Sequence, residues 1–183
     1  MQNLIRLAII VLLVVFGACT GSKDRIDRDV TDIDKVSEVS IIILPFKYNP
    51  LTSYSPSDAV DIVRQSLEIA FMQKGYYANS EDETVMNMLA KIDANMLDEI
   101  QIKKLAIETK ANLIIYGEIL AFHESRGDEY TINLLIKAYD SKTNSTVVRE
   151  HMSERYEQMH NPTTITREMA LEFVHLLELM GKI

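Results

Sequence analysis

The feature of the sequence that most constrains the fold is an apolar run at residues 39–46, VSIIILPF, in which a single serine is polar. β-Branched residues dominate the run, and it lacks the apolar–polar alternation of a strand with one face in water. It therefore predicts a central β-strand that is covered on both faces of a sheet. Because Pro45 has no amide N–H to donate, we expect it close to the end of that strand.

Downstream of this run, apolar spacing and capping residues predict four helices and four more strands. The predicted helices begin at Ser55, Ser80, Asp98 and Asn161 or Thr164, and the predicted strands span residues 76–79, 113–122, 130–140 and 146–156. The resulting order is β-α-β-α-α-β-β-β-α, in which a helical crossover argues for parallel strands and a hairpin adds antiparallel ones. The predicted fold is a single α/β (α+β) domain, with a mixed sheet of about five strands and helices packed on it.

Each predicted helix carries an apolar stripe that we expect to face the sheet. The stripes, in chain order, are Val60, Val63, Leu67, Ala70 and Phe71; Val85, Met88, Leu89 and Ile92; Ile102, Leu105, Ala106 and Thr109; and Ile165, Met169, Phe173, Leu176, Leu177 and Met180. Gly75 is expected to end the first helix in a left-handed conformation. The last helix has further apolar residues, so it is either packed on two sides or in contact with another subunit; these residues are Ala170, Leu171, Val174 and Leu179.

The N-terminal segment has the pattern of an export signal. Residues 1–6 are weakly basic, residues 7–16 are unbroken apolar, and Gly17 and Ala18 are small. The apolar stretch is shorter than the roughly twenty residues that a transmembrane helix needs. Cys19 follows directly and is the one cysteine of the chain, so no internal disulfide can form and packing must supply the stability.

Residues 16–19, Phe-Gly-Ala-Cys, resemble the lipobox of bacterial lipoproteins. The resemblance implies that residues 1–18 are a signal peptide, and that a lipidated Cys19 attaches the mature chain to the membrane. Thr20 stands where an aspartate retains many lipoproteins in the inner membrane, which implies the outer membrane with the body facing the periplasm. The alternatives are an ordinary signal with an incidental cysteine, or an uncleaved anchor. Residues 19–38 are dense in charge and predict a solvated tether of at most roughly 60 Å before a globular body at residues 39–183.

Composition argues against several classes of function. The formal charge of −8 leaves no basic stripe for nucleic acid and predicts little attraction to anionic headgroups. The glycines are too widely spaced for a phosphate-binding loop, and the four histidines lack the spacing of a preformed metal site. Glu118 has no visible nucleophile as a partner, and methionines such as Met88 and Met169 fit core stripes better than a copper site. We therefore expect no catalytic residue, metal, cofactor or small-molecule substrate.

Four short motifs resemble a family of small periplasmic domains. They are Ile43-Leu44-Pro45-Phe46, Gly75-Tyr76, residues 111–119 (ANLIIYGEI), and Tyr139-Asp140-Ser141-Lys142-Thr143-Asn144. The family includes the globular domain of the curli secretion channel lipoprotein CsgG, the N-terminal domain of TolB, the LpoB activators of penicillin-binding proteins and the exopolysaccharide-export lipoprotein PelC. The family usually has Gly-Ala-Asp and Thr-Gly where this chain has Lys110-Ala111-Asn112 and Thr143-Asn144; asparagine still suits a left-handed turn. The resemblance covers roughly residues 38–180 and implies the fold, which does not by itself give the function.

The predicted loop after the first strand, residues 47–54, carries Tyr48, Leu51 and Tyr54. Exposed aromatic residues are enriched at interfaces, so these three residues are candidate contacts with a protein partner. The alternative is a loop that folds its tyrosines back onto the first helix.

These observations favour a non-enzymatic outer-membrane lipoprotein that acts as an interaction or assembly module of a secretion, export or cell-wall assembly complex. Its partner would be an envelope protein or further copies of the same chain in a ring. One alternative is a surface-exposed lipoprotein that binds a ligand or a host factor. Another is an envelope hydrolase that uses Glu118, Asp140 or a histidine, although no spacing in the sequence supports it.

Overall fold

The computed structural model describes residues 39–48, 58–79, 83–90, 97–126, 129–157 and 160–183, with the backbone alone at 123–126. Internal contacts divide the chain into two units, residues 1–35 and 36–183, and every described residue belongs to the second. Several predictions lie outside the described residues: the signal peptide, Cys19, the tether, Leu51, Tyr54, Ile92 and the caps at Ser55 and Ser80. Within the described ranges, no helix has both the length and the apolar character needed to cross a membrane.

The described residues form six strands and four helices. In chain order they are β1 (Ile41–Ile43), β2 (Lys47–Tyr48), α1 (Ala59–Gln73), β3 (Ala78–Asn79), α2 (Glu83–Leu89), α3 (Glu99–Thr109), β4 (Leu113–Arg126), β5 (Glu129–Asp140), β6 (Ser145–Glu157) and α4 (Pro162–Leu179). The predicted mixed α/β class is confirmed, with one strand more than the predicted order contains.

The strands make one open mixed sheet in the order β3-β1-β4-β5-β6, and β2 pairs with β4 off this path. β1 runs parallel to β3 and β4, whereas β4, β5 and β6 form an antiparallel meander. β6 is therefore an edge strand, and none of the other described strands pairs with its outer side over its thirteen residues.

The apolar run at residues 39–46 is covered on both faces, as predicted, because the isoleucines of β1 alternate between two hydrophobic clusters. The strand is shorter than expected: β1 ends at Ile43. β2, which we predicted to be loop, instead pairs with β4 through Lys47 and Tyr48. Pro45 lies between the two short strands, where its missing amide N–H does not interrupt the ladder.

Helices cover the two faces of the sheet unequally. α1 and α4 lie on one face and, together with β1, β4, β5 and β6, build the larger cluster, here called the main core. α2 and α3 cover part of the opposite face and build a smaller cluster with Ile42, Ile114 and Tyr139, here called the minor core. Beyond α2 and α3, this face of β5 and β6 carries half-buried or exposed polar side chains, such as Lys137 and Arg149.

Strict alternation along β5 is confirmed, since the side chains predicted to share one face are all buried; they are Ile132, Leu134, Ile136 and Ala138. Gly75 ends α1 with φ of 82°, and Asn144 takes φ of 53° in the β5–β6 turn, both left-handed as expected. Gly117 in β4 is needed because a Cβ there would lie 2.0 Å from the carbonyl oxygen of Leu135. The backbone of β5 therefore approaches β4 so closely that only glycine fits.

The caps of α3 and α4 form as the sequence predicts. The Asp98 carboxylate accepts from the Gln101 amide at 2.8 Å, and the Gln101 side chain accepts from the Asp98 amide at 3.0 Å. Asn161 caps α4 by accepting from the amide of Thr163 at 2.9 Å.

The wide apolar surface of α4 is largely explained by packing on two sides. Ala170 and Val174 are buried in the main core, where α4 meets both α1 and the sheet. Met180, which we predicted to be part of the buried stripe, is 45% exposed, so that prediction is wrong. It is the C-cap residue, one position past the end of α4, and Gly181 then redirects the chain with φ of 62°.

Candidate interaction surfaces

Of the three residues predicted to contact a partner, the structure describes Tyr48. It belongs to β2, is half-buried and packs against the main core. Leu51 and Tyr54 lie outside the described residues, as does Cys19. Contact with a partner and lipidation both remain predictions for these residues.

Glu118, the carboxylate of the hydrolase alternative, takes part in a sheet-face ion pair. Its Oε1 lies 3.4 Å from Nζ of Lys137, and that ammonium lies 5.6 Å from the ring centroid of Tyr116. The Tyr116 hydroxyl in turn hydrogen-bonds the hydroxyl of Thr146 at 2.8 Å. These contacts fix the side chains of neighbouring strands, and no nucleophile is placed beside Glu118 by any of them.

Asp140 joins the end of β5 to the C-terminal residues. Its carboxylate accepts from the Lys142 amide at 2.8 Å and from Nζ of Lys182 at 2.9 Å. Burial raises the pKa of Asp140, but the hydrogen bonds from Lys182 and Lys142 outweigh it and hold the pKa below its ordinary value. These contacts therefore hold the carboxylate in its ionised form and tie the end of β5 to the C-terminal residues.

The histidines are dispersed over the described part of the chain. His151 and His160 are exposed, and Nδ1 of His175 lies 3.3 Å from Glu178, which Lys74 also contacts at 3.1 Å. The hydrogen bonds from Lys74 and His175 lower the pKa of Glu178. Across the described residues, no three His, Cys, Asp or Glu side chains come together in a group that could hold a metal ion.

Two isoleucines project from the outer face of α3. Ile100 and Ile107 are 78% and 66% exposed, whereas Ile102 and Leu105 of the same helix are fully buried. At 100° per residue, Ile100 and Ile107 lie close to one line along the helix, opposite the buried stripe. We call this pair the isoleucine ridge.

Beside the ridge lies an open depression of about 390 Å³ between the last turns of α3 and the β5–β6 turn. Its lining consists of Lys103, Ala106, Ile107, Lys110, Ala111, Asn112, Ser141, Lys142 and Asn144. The amide and hydroxyl of Ser141 donate to the carbonyls of Asn112 and Ala111, which holds the turn against the end of α3. We call it the lysine depression, because the charged residues among its described lining are three lysines.

A groove of about 240 Å³ runs between α4 and the edge strand β6. It is lined mainly by apolar atoms, and its residues are Glu150, Met152, Glu172, Phe173, His175, Leu176 and Leu179. Leu179 is 72% exposed at one end of this α4–β6 groove. An apolar groove beside an open strand edge is a surface that a protein partner can cover.

Sequence reasoning identified Leu179 as apolar surface outside the main stripe of α4, but it missed Ile100 and Ile107. The signal was present: once the inward stripe of α3 is assigned, these two residues fall seven positions apart on the opposite face. The lysine depression depends on contact between the end of α3 and a turn thirty residues later, so no local sequence pattern predicts it.

No model of a protein family matches the sequence, and no curated protein matches it either. Solved structures share the fold. The PelC dodecamer from Paraburkholderia phytofirmans matches with 7% identity over 73% of this chain and 82% of that one, at a TM-score of 0.52. Lipoprotein GNA1162 from Neisseria meningitidis matches with 13% identity over 76% of this chain and 98% of that one, at a TM-score of 0.53.

A more distant match is the C-terminal domain of LpoB from Escherichia coli, with 11% identity over 67% of this chain and 91% of that one, at a TM-score of 0.43. The likeness to the PelC domain expected from the sequence motifs is therefore confirmed at the level of the fold, whereas the likeness to the LpoB domain stays a prediction. At these identities the fold alone is established. The likeness to the curli-channel and TolB domains stays a prediction.

Proposed function

We propose that this chain is a non-enzymatic outer-membrane lipoprotein whose folded body is an assembly module of an envelope complex. Lipid on Cys19 would anchor it, and the charged tether would let the body reach partners in the periplasm. Two solved structures of the same fold support the proposal: one is described as a lipoprotein and the other as a dodecamer.

The α4–β6 groove is the observation that carries this proposal. Leu179 leaves most of its side chain in water, although removing a leucine from water typically contributes about 2 kcal/mol. Along the neighbouring β6, no other described strand pairs with the backbone N–H and C=O groups of the outer edge. An interface at this place would therefore combine apolar burial with backbone pairing, and we propose a second copy of the chain as its occupant.

Sedimentation equilibrium of the full chain carrying Cys19→Ser, in detergent, tests self-association without an acyl chain. We expect a concentration-dependent oligomer, and Leu179→Glu should weaken its association constant at least about tenfold, because a buried carboxylate without a partner is costly. Leu120→Glu is the matched control, because Leu120 is also an exposed leucine but lies on β4. A monomer at every concentration, or equal effects of the two glutamates, would contradict an interface between copies at the groove.

The anchor is tested separately by the intact mass of the protein purified from bacterial membranes. We expect the mass of a chain that begins at Cys19 and carries acyl groups, and Cys19→Ser should abolish that modification. An unmodified chain that retains residues 1–18 would refute the lipoprotein assignment and leave the self-association result unaffected.

A further inference from the structure

The isoleucine ridge is an unusual outer face for a water-soluble helix. β-Branched residues lose side-chain freedom in a helix, so an exposed helical position favours longer polar residues. Single exposed apolar residues are ordinary, but Ile100 and Ile107 form a line with Lys103 beside it. The apolar and cationic side chains of α3 therefore share one surface.

Lys110 adds a cation where the backbone favours another residue. It follows α3 in the left-handed conformation, with φ of 56°, a place that glycine occupies without strain. A lysine here keeps a positive charge at the rim of the lysine depression at some cost to the helix end.

The lysine depression has the opposite charge to the protein as a whole. The chain carries a formal charge of −8, yet Lys103, Lys110 and Lys142 surround this depression and no carboxylate is found among its described lining residues. Among the described residues, no carboxylate comes within ion-pair distance of these three ammonium groups. The prediction of weak attraction to anionic headgroups was made from the net charge and did not take this local group of lysines into account.

Ser40, the residue directly before β1, lies beside these lysines. The amide of Ser40, directly before β1, donates to Oδ1 of Asn112 at 2.8 Å, and Asn112 lines the lysine depression. The backbone that leads into β1 thus lies at the rim of the depression.

We infer that the isoleucine ridge and the lysine depression together form a docking surface for an anionic phospholipid bilayer. The isoleucines would enter the boundary between headgroups and acyl chains, while the lysine ammonium groups contact lipid phosphates. A lipid surface fits better than a protein partner, because protein interfaces are rich in aromatic residues and arginine and poor in lysine. The inference goes beyond the proposed function and does not depend on acylation of Cys19.

Vesicle co-sedimentation of the full chain carrying Cys19→Ser tests the inference. Partition is measured on phosphatidylcholine vesicles and on vesicles in which part of that lipid is replaced by phosphatidylglycerol. The neutral vesicles report any insertion of residues 7–16, which is common to all variants. We expect phosphatidylglycerol to raise the partition coefficient. This increase should be about 100-fold smaller for a triple variant that carries Lys103→Gln, Lys110→Gln and Lys142→Gln.

A matched triple variant separates local from overall charge. Arg149→Gln, Arg155→Gln and Arg167→Gln remove the same number of charges from exposed positions on β6 and α4, and should change partition by about twofold at most in physiological salt. Ile100→Asp with Ile107→Asp should lower partition on anionic vesicles by at least about tenfold. Thermal unfolding of each variant checks that the fold is retained.

Three results would overturn the inference. The first would be that phosphatidylglycerol leaves the partition coefficient of the chain without surface substitutions unchanged. The second would be that the two triple variants lose binding equally. Alternatively, soluble glycerol phosphate displaces the chain from vesicles at equimolar headgroup concentration, which would make the depression a site for a free anion.

Discussion

The helices on one face of the sheet differ from those on the other in how completely they bury their apolar residues. α1 and α4 are 15 and 18 residues long, and each buries five apolar residues in the main core. α2 and α3 are 7 and 11 residues long and bury one and three. Both pairs leave large apolar side chains in water, Met72 and Leu179 on the first pair and Ile100 and Ile107 on the second. Stability therefore depends chiefly on the first pair, which leaves α3 free to present a contact surface.

The minor core also contains a buried polar group that has no hydrogen-bond partner among the described residues. The Tyr139 hydroxyl lies inside it with no hydrogen-bond partner among the described residues. Burial raises the pKa of Tyr139, and the nearby Glu99 and Asp140 raise it further. A buried hydroxyl without a partner destabilises a fold by about 1–3 kcal/mol, so this region departs from the packing that stability alone would favour.

Truncation of one leucine on each side is the strongest test of this contrast. Leu177 of α4 and Leu105 of α3 are both fully buried. We expect Leu177→Ala to lower the free energy of unfolding by about 4 kcal/mol and Leu105→Ala by about 2 kcal/mol, because a site near the surface collapses more easily around a cavity. Urea unfolding measures both, and equal losses would show that the two cores are equally rigid.

Gly117→Ala tests the packing of the sheet that lies between the two pairs of helices. The new methyl group would meet the Leu135 carbonyl and, at 2.7 Å, the ring of Phe46. We expect a loss of about 3 kcal/mol, because backbone atoms of β5 have to move. Ala121→Gly on the same strand is the control for the intrinsic effect of glycine in a strand. A loss below that of the control would mean that the sheet adapts easily.

The ion pair of Asp140 and Lys182 links the residues that follow α4 to the β5–β6 turn, which packs against the end of α3. Because the folded pKa of Asp140 lies below the unfolded value of about 3.9, the ionised carboxylate stabilises the native state above that value. This stabilisation is lost as the pH falls through the folded pKa.

Asp140→Asn should therefore cost about 2 kcal/mol at neutral pH, since it leaves Lys182 without its partner. The free energy of unfolding of this variant should also decrease less than that of the unsubstituted chain as the pH falls from about 5 to the folded pKa of Asp140. Denaturant unfolding at a series of pH values measures this. An acid dependence identical to that of the unsubstituted chain would remove Asp140 from the explanation.

Tyr139→Phe should have the smallest effect and the opposite sign. Removing a hydroxyl that lacks a partner leaves the ring packing intact, so we expect the unfolding free energy to stay equal or to rise by about 1 kcal/mol. Tyr116→Phe serves as the contrasting variant, because it removes a hydroxyl bonded to Thr146. Destabilisation by Tyr139→Phe would reveal a partner for the hydroxyl and weaken the contrast between the two cores.

Local sequence patterns were sufficient to predict most helices and strands. They did not predict which residues at the end of an element still pack against the sheet, or which distant segments pair. Alternation placed Ile132 and Ile136 in the core, and the cap at Asp98 begins α3 as expected. Met180 has the period of the α4 stripe, yet periodicity does not reveal where the sheet ends beneath the helix. The pairing of Lys47 with Glu118 in β2 and β4 depends on contacts between distant segments, which a local reading cannot supply.

The proposal of an assembly module is tested most directly by photo-cross-linking in cells that produce the full chain. p-Benzoyl-phenylalanine is placed at Leu179 in the α4–β6 groove or, as a control, at Met86, an exposed residue of α2. The account predicts a product of two copies of the chain from position 179, and none from position 86. No product from position 179, or equal products from both positions, would contradict it.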